Sequence, residues 1–534
     1  MTSIFIANRN DYIVAQSIIG HQVLNTEFIT QSAETYNLLE TQGLPKITFV
    51  DSIALGRNSL SNCHYEADRI ARTFDANLSE LRTRHFNFEI SSPGWDYLNI
   101  YYIALTVLRW RQFAPLLAAA LPERDTLAFF TLDNEQDFYF DSALQRQFLA
   151  DALQQGKFKN AKPFLRDVGQ PFVQNAMNFT FDLSADASGS CEAVAHLPTV
   201  YYDYEYHRQR LEALHGAQVV DLASPYFDIP VAHNRIGLLF SDKAPVPSSL
   251  AERKYLDEVR RVTDDLYQIL CPGAEIIPAQ VERQAAKSLS QLRIFNQLCT
   301  APGFANIRYL YVSDHDTGLS GPLTTWANLL DIATEIHPHS SFSVTPFPVV
   351  KGCRKHGYVR APDSFTELGN SRSTWAHPLV IGSPTTSAPL VLLLFNALTD
   401  PGGVPTCEFS TIAKFTFDAL MLCQSRQVPF KIRSKTSWDF SGMLAKYLSL
   451  YGVDANIIES IFAIGPLSDW TEQTTVCVGI DQPTTALTQF LNQGVTCIHA
   501  IDRECTETEM HTLPLRGVYL TDYNGALEKL KVLL

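Results

Sequence analysis

Two carboxylates and an imidazole follow an apolar run of the sequence. Asp314, His315 and Asp316 come directly after IRYLYVS (307–313), which has the composition of a buried strand. Carboxylates one residue apart at a strand end can chelate a divalent cation together with a diphosphate, and a side chain there can serve as the general base toward a hydroxyl group. The alternative is that they are acidic turn residues that cap a helix beginning near residue 322. We take the three as the candidate catalytic residues.

A glycine pair follows another apolar run, LVLLLFNAL (390–398). In the loop NALTDPGGVPT (396–406), Gly402 and Gly403 permit positive φ and let the backbone approach a phosphate closely. No GK[ST] follows the pair, so it is not a Walker motif, and no GxGxxG fingerprint follows a strand anywhere in the chain. An ordinary loop rich in proline and glycine is the alternative.

The segment IDQPTTAL (480–487) ends one predicted strand and opens a helix. Thr484 and Thr485 can cap that helix, and they can also offer hydroxyl groups and backbone N–H groups to a phosphate. Gln482 lies in the same turn. Capping alone accounts for one threonine, so the functional interpretation rests on the pair and on its position at a strand end.

Two cations lie at the end of a further predicted strand. FKIRSK (430–435) places Arg433 and Lys435 where they could neutralise a diphosphate or the carboxylate of an acidic sugar. The alternative is ordinary solvated surface charge. Because ligands of open parallel sheets bind beyond the carboxyl ends of the strands, we expect these loops to meet at one anion site.

The elements that must position these residues are clearest from Pro389 to Leu534. Short apolar runs bounded by turn residues alternate there with segments of helical periodicity. Nearly all-apolar strands separated by helices are typical of a parallel sheet that is covered on both faces. Residues 235–343 repeat the alternation more loosely. The sequence therefore predicts the α/β class, with two Rossmann-like parallel-sheet domains.

The predicted domain boundaries follow composition. A chain of 534 residues is too long for one hydrophobic core. Residues 1–345 form an N-terminal α/β region with room for two subdomains, and residues 389–534 form the C-terminal Rossmann-like domain. Residues 346–388 are rich in proline, glycine, serine and threonine and have little periodicity, which indicates a connection between domains.

Composition also restricts the class of protein and its partners. Hydrophobic residues make up 46% and charged residues 18%, which is typical of a globular chain. The net charge of −14 and the lack of a Lys/Arg-rich run argue against nucleic acid as a partner. The ten cysteines lie singly, without zinc spacing, which favours a reducing compartment and assigns no metal ligands. We expect a cytoplasmic protein without a signal peptide or transmembrane segment, for which peripheral contact with a membrane stays open.

The order of these features resembles the C-terminal half of GT-B glycosyltransferases and of related transferases of bacterial surface polysaccharides. The match covers residues 389–534 and lies in the succession of elements: strand, long helix, basic strand end KIRSK (431–435), strand, DQPTTAL (481–487) and GVTCIHAI (494–501). In those families a Ser/Thr-rich turn that opens the equivalent helix holds the donor phosphate. The chain departs from them at Ser434, where many such enzymes carry a His-Pro pair after the basic strand, so the donor nucleotide is unassigned.

This resemblance implies a glycosyltransferase that moves a sugar from a nucleotide-activated donor to a carbohydrate or surface-glycan acceptor. The C-terminal domain would bind the nucleotide sugar, and the N-terminal region would bind the acceptor and supply the base, with an interdomain cleft between them. No cofactor is firmly implied, since the nucleotide sugar is a substrate. A divalent metal is compatible with Asp314 and Asp316.

Two other functions fit the same predicted fold. A nucleotide-sugar epimerase or hydrolase would keep the donor site and change the reaction. A non-catalytic interaction protein would have an α/β domain without a ligand. The chain has neither a GxSxG nucleophile elbow nor an HExxH zinc motif, which disfavours the hydrolases that use them.

Overall fold

A computed structural model gives the fold of the chain. It describes residues 2–6, 9–20, 25–30, 32–50, 57–86, 95–97, 100–101, 103–105, 107–108, 111, 124–132, 158–166, 180–183, 194–197, 204–215, 219–223, 235–241, 245–273, 277–300, 304, 306–312, 320–336, 354–356, 365–367, 389–395, 409–434, 441–481, 486–502 and 518–534.

Strands and helices alternate along the described residues. The strands are β1 (Thr2–Phe5), β2 (Glu27–Thr30), β3 (Ile47–Phe49), β4 (Arg124–Leu132), β5 (Phe158–Arg166), β6 (Thr180–Leu183), β7 (Val194–Leu197), β8 (Val219–Ala223), β9 (Arg235–Ser241), β10 (Tyr309–Val312), β11 (Ala333–Ile336), β12 (Arg354–His356), β13 (Phe365–Glu367), β14 (Val391–Phe395), β15 (Phe430–Ser434), β16 (Val476–Ile480), β17 (Thr496–Ile501) and β18 (Val518–Asp522). The helices are α1 (Arg9–Ile19), α2 (Ala33–Thr41), α3 (Arg57–Phe86), α4 (Tyr204–His215), α5 (Leu250–Leu270), α6 (Ile277–Thr300), α7 (Ser320–Leu329), α8 (Phe409–Ser425), α9 (Ser441–Leu450), α10 (Ala455–Ile461), α11 (Ser468–Thr471), α12 (Ala486–Asn492) and α13 (Tyr523–Leu533). None of these described helices combines the length and the apolar character needed to cross a membrane.

The described strands form three sheets. The first sheet has the order β3-β2-β1-β4-β5 and is parallel throughout. The middle sheet has the order β13-β12-β11-β10-β7-β8-β9-β6 and is parallel except at its edge strands β6 and β13. The C-terminal sheet has the order β15-β14-β16-β17-β18 and is again parallel throughout. The prediction of an α/β protein built on parallel, Rossmann-like sheets is confirmed at this level.

Two short strands lie in the range that the composition assigns to a connection, 346–388. β12 pairs with β11, and β13 pairs with β12 at the outer edge of the middle sheet. Each is three residues long. Strands of this length carry too little periodicity to be detected in a sequence.

The C-terminal sheet is covered on both faces. Val391, Leu393 and Phe395 pack in one apolar cluster with α8, α9 and α13. Leu392 and Leu394 lie in a second cluster with α12. Because successive strand residues point to opposite faces, an uninterrupted apolar run is what a doubly covered strand requires. This arrangement explains why the strands of this sheet were the easiest to predict.

Aromatic side chains join the first sheet to the C-terminal sheet. Tyr36 of α2 belongs to the same apolar cluster as the core of the C-terminal sheet. Lys446 of α9 donates a hydrogen bond to the Tyr36 hydroxyl at 2.7 Å. Phe49, at the end of β3, meets Phe409 of α8 edge to face, with 6.3 Å between ring centroids. This junction is therefore mainly apolar.

Charged side chains are buried where α3 meets α5 and α6, between the first and middle sheets. Arg82 pairs with Asp96 at 2.7 Å, and their side chains are 1% and 0% exposed. Asp96 also accepts a hydrogen bond from Gln284 at 3.1 Å, and its backbone N–H donates to Asp75 at 2.9 Å. Lys287 is buried near Asp96. We call these five residues the buried charge network.

Candidate functional site

The strand order of the C-terminal sheet reverses at β14. After β14 the chain adds β15 on one side and β16 on the other. In open parallel sheets, ligands bind beyond the carboxyl ends of the strands at such a reversal. The three strands end level, because Phe395 is in register with both Ser434 and Ile480. The segments that follow β14, β15 and β16 therefore begin side by side at one edge of the sheet. We call this edge the β14/β16 switch point.

The predicted phosphate-binding residues belong to the segments that leave this edge. Arg433 lies in the described part of the chain. The others lie outside the described residues: Gly402, Gly403, Lys435, Gln482, Thr484 and Thr485. The structure thus places the strands that carry the three predicted loops next to one another and gives no positions for the loop side chains themselves.

Arg433 is the next-to-last residue of β15 and lies close to the switch point. Its Nη1 donates a hydrogen bond to the carbonyl of Gly465. Burial lowers the pKa of Arg433, and the carboxylate of Asp469 acts in the opposite direction. A guanidinium remains charged at every physiological pH. The hydrogen bond goes to a neutral carbonyl, and the carboxylate of Asp469 is the nearby negative charge.

Asp481 is the first residue after β16 and has a left-handed backbone, with φ of 61°. Its N–H donates to the carbonyl of Ala500 at 2.8 Å, and its own carbonyl lies 2.9 Å from Nε2 of His499. The hydroxyl of Tyr523 donates to its carboxylate at 3.4 Å. This conformation is less favourable for a residue with a side chain than for glycine, and the contacts with Ala500, His499 and Tyr523 hold it at Asp481.

His499 of β17 is fully buried and supplies one of these contacts. A carbonyl can only accept, so Nε2 carries the proton and donates it to Asp481. Burial lowers the pKa of His499 to about 4, with the hydrogen bond to Asp481 acting in the opposite direction. The imidazole is therefore neutral near pH 7. Sequence reasoning missed His499 because it lies within the apolar strand VTCIHAI, yet a histidine in such a run is a signal that it has a specific partner.

The strand order of the middle sheet also reverses, between β7 and β10. Leu197 and Val312, the last residues of these strands, are in register. The candidate catalytic residues Asp314, His315 and Asp316 follow β10 and lie outside the described residues. The segment that carries them leaves the sheet at this second reversal, which we call the β7/β10 switch point.

Three ionisable side chains are buried together on the face of the middle sheet that α4 covers. His196 of β7 meets the carboxylate of Asp221 of β8 through Nδ1 at 2.7 Å. Arg208 of α4 donates to the other oxygen of that carboxylate at 3.0 Å. His196 and Asp221 are paired in register on neighbouring strands. Sequence reasoning missed this group, since its members are far apart in the chain and no motif joins them.

The described residues contain no group of three or more His, Cys, Asp or Glu side chains that could hold a metal ion. No protein-family model matches the sequence, and no curated protein matches it. The two switch points and the side chains that lie beside them are the features of the described residues that indicate a function.

Proposed function

We propose that the chain is a cytoplasmic glycosyltransferase that moves a sugar from a nucleotide-activated donor to a carbohydrate or surface-glycan acceptor. The observation that carries the proposal is the level ending of β14, β15 and β16 at a reversal of strand order. A nucleotide-type ligand is what such an edge of a parallel sheet commonly binds. Arg433 adds a cation to the same edge, as a diphosphate requires.

The donor diphosphate would contact polar groups of all three segments at the β14/β16 switch point. Cations at the end of β15 would stabilise the negative charge that develops as the nucleoside diphosphate leaves. The glycine pair after β14 would allow close backbone approach, and the turn after β16 would supply hydroxyl donors. The residues in these roles are Gly402, Gly403, Arg433, Lys435, Gln482, Thr484 and Thr485.

The acceptor would bind at the β7/β10 switch point. Asp314, His315 or Asp316 would remove the proton from the acceptor hydroxyl as its oxygen attacks the anomeric carbon of the donor sugar. In a GT-B arrangement the two switch points face each other across a cleft. Closure of that cleft would exclude water, which otherwise hydrolyses the donor.

Ligand binding tests the donor site. We expect one nucleotide sugar, from a panel of uridine, guanosine and cytidine forms, to raise the melting temperature of the purified chain in a concentration-dependent way. The double variant Thr484→Ala/Thr485→Ala should weaken that binding about tenfold or more, since two hydroxyl donors are lost. Thr496→Ala is the matched control, because Thr496 is exposed at the opposite end of the same sheet.

Turnover tests the reaction. With a glycan acceptor present, the chain should consume the donor and form a glycosylated product, and Asp314→Asn or Asp316→Asn should reduce the rate about a hundredfold or more. Asp331→Asn is the control, because Asp331 is exposed at the amino end of β11. Added Mg²⁺ or a chelator decides whether a metal takes part. Donor consumption without an acceptor would favour the epimerase or hydrolase, and failure to bind any nucleotide would favour the interaction protein.

A further inference from the structure

We propose that an internal water molecule is bound where helices α3, α5 and α6 meet, and that it joins the side chains of Arg82, Tyr255 and Ser288. Each helix supplies one of these residues, and all three are fully buried. None of them belongs to a strand that ends at either switch point. The inference is therefore independent of the proposed function.

Each of the three residues has a polar atom that lacks a hydrogen-bond partner. Nε of Arg82, the hydroxyl of Tyr255 and Oγ of Ser288 are buried and have no partner among the residues that the structure describes. A buried polar atom without a partner is unfavourable, and ordered water is the common partner of buried groups that the protein itself does not satisfy. Three such atoms close together indicate one shared partner.

The three atoms are close together because of how the helices pack. α5 contacts both α3 and α6, so Tyr255 lies between the other two residues. Burial raises the pKa of Tyr255, and Arg82 and Ser288 act on the same hydroxyl in the opposite direction. The hydroxyl of Tyr255 is thus the neighbour that Arg82 and Ser288 have in common.

Other contacts hold two of these side chains in place. Nη1 of Arg82 donates to Asp96 at 2.7 Å, and its guanidinium lies over the ring of Trp95, 4.4 Å from the centroid. The ring of Tyr255 meets Phe86 edge to face, with 5.4 Å between centroids. Neither side chain can turn toward another partner without losing these contacts, so a partner must come to them.

Water fits the chemistry of the three groups. Nε of Arg82 can only donate, whereas the hydroxyls of Tyr255 and Ser288 can donate or accept. A water molecule can accept from Nε and exchange a hydrogen bond with each hydroxyl, which makes three bonds, the usual number for buried water. The carboxylates of the buried charge network already equal its cations in number, so an anion would bring an uncompensated charge into the core.

A crystal structure of the full chain that resolves ordered water tests the proposal directly. We expect density within about 3.2 Å of Nε of Arg82 and of at least one of the two hydroxyls. Direct hydrogen bonds among the three side chains, with no density beside them, would overturn the proposal. Crystals grown in bromide identify the occupant. An anomalous peak at the site would show an anion and overturn the assignment to water, and density without such a peak would support it.

Tyr255→Phe gives a second measurement, because its effect changes sign with the occupancy of the site. If water is bound, the variant removes one of its hydrogen bonds, and the equilibrium constant for unfolding in urea should rise about fivefold. If the hydroxyl is unpaired, its removal should lower that constant, which would contradict the proposal. Tyr65→Phe is the control, since Tyr65 is exposed on α3 and its variant should stay within about twofold of wild type.

Discussion

The buried charge network and the β14/β16 switch point both bury polar side chains, but their partners differ. In the network, the carboxylate of Asp96 is satisfied by two other side chains, Arg82 at 2.7 Å and Gln284 at 3.1 Å. At the switch point, His499 holds a backbone carbonyl, that of Asp481, at 2.9 Å. In the first region, polar groups join separate helices. In the second, they fix one peptide where the chain leaves a strand.

Because of this difference, we expect the buried charge network to affect mainly stability and the β14/β16 switch point to affect mainly ligand binding. Breaking a charged pair that is buried between helices leaves a charge without a partner and lowers the free energy of unfolding. Releasing one peptide at a strand end changes where the following segment lies and affects few packed groups. Substitutions in the network should therefore change unfolding and spare donor affinity, whereas substitutions at the switch point should change donor affinity and have a smaller effect on unfolding.

The largest expected effect is that of Arg82→Met. It leaves the buried carboxylate of Asp96 without its cation and should lower the free energy of unfolding by about 3–5 kcal/mol, measured by urea denaturation. Burial opposes the charge of Arg82, but Asp96, Tyr255 and Asp75 outweigh this and raise its pKa. Arg82 therefore keeps its positive charge in the folded chain.

Arg84→Met is the matched control for Arg82→Met. Arg84 lies on the same helix, and its ion pairs with Glu80 and Glu258 are exposed to solvent. Exposed pairs contribute about 0–1 kcal/mol, so this variant should be nearly as stable as wild type. If Arg82→Met does not fold, Arg82→Met/Asp96→Asn removes both charges and should recover part of the stability. Equal stability of the two single variants would contradict the role given to the network.

The second prediction concerns Lys287 and pH. Burial lowers the pKa of Lys287 from 10.5 to about 8, although Asp96 acts in the opposite direction. Below pH 8 the amine of Lys287 is charged in both the folded and the unfolded chain. The full cost of burying that charge then lowers the free energy of unfolding. Between pH 8 and 10.5 the unfolded chain binds a proton that the folded chain does not, so the unfolding free energy should rise with pH. The expected rise is about 3 kcal/mol.

Lys287→Met isolates this contribution, because it removes the titrating amine and keeps an unbranched side chain of similar length. Denaturation of both chains from pH 7 to pH 10 should show the rise as a difference between them, since other titrating groups are common to both. At pH 7 the methionine variant should be the more stable of the two. A difference that does not change with pH would show that Lys287 is accessible to water in the folded chain.

The C-terminal sheet could be predicted because its sequence pattern reports directly on burial. A strand covered on both faces must be apolar throughout, as VLLLF (391–395) and VCVGI (476–480) are. The middle sheet was harder to predict. β12 has only three residues, and at the centre of the sheet β10 pairs with the distant β7 and not with β9, the strand before it in the chain. Strand order depends on such contacts, which periodicity does not encode.

The candidate site could be predicted only at the level of strand ends. A loop after an apolar run is visible in sequence, and so Arg433 was placed correctly at the end of β15. Asp481 and His499 were missed because their roles depend on a positive φ and on a hydrogen bond between neighbouring strands. The pair formed by His196 and Asp221 depends likewise on the register of two strands. Register between parallel strands is set by the whole sheet rather than by local sequence.

The third prediction concerns the β14/β16 switch point, where we expect donor affinity to change and the free energy of unfolding to change little. Arg433→Ala should weaken binding of the nucleotide sugar about tenfold, because a cation is lost from the phosphate site. The free energy of unfolding should change by less than about 0.5 kcal/mol. Arg426→Ala is the control, since Arg426 is exposed in the turn that precedes β15, at the opposite end of that strand. Equal affinity of the two variants would place the donor elsewhere.

The smallest expected effect concerns the backbone of Asp481. Asp481→Ala and Asp481→Gly both lose the contact with Tyr523, so any difference between them comes from the backbone. Glycine adopts positive φ without strain, and the glycine variant should be more stable than the alanine variant by about 1 kcal/mol.

Asp331, with φ of 56° in an exposed turn, supplies the matched pair for this comparison. Asp331→Gly and Asp331→Ala should differ in stability by a similar amount but should bind the donor equally. At Asp481 the alanine variant should also bind the donor more weakly than the glycine variant, because strain in the peptide is relieved by turning the chain away from the switch point. If the two variants of Asp481 bind the donor equally while their stabilities differ, the direction of this peptide has no part in binding.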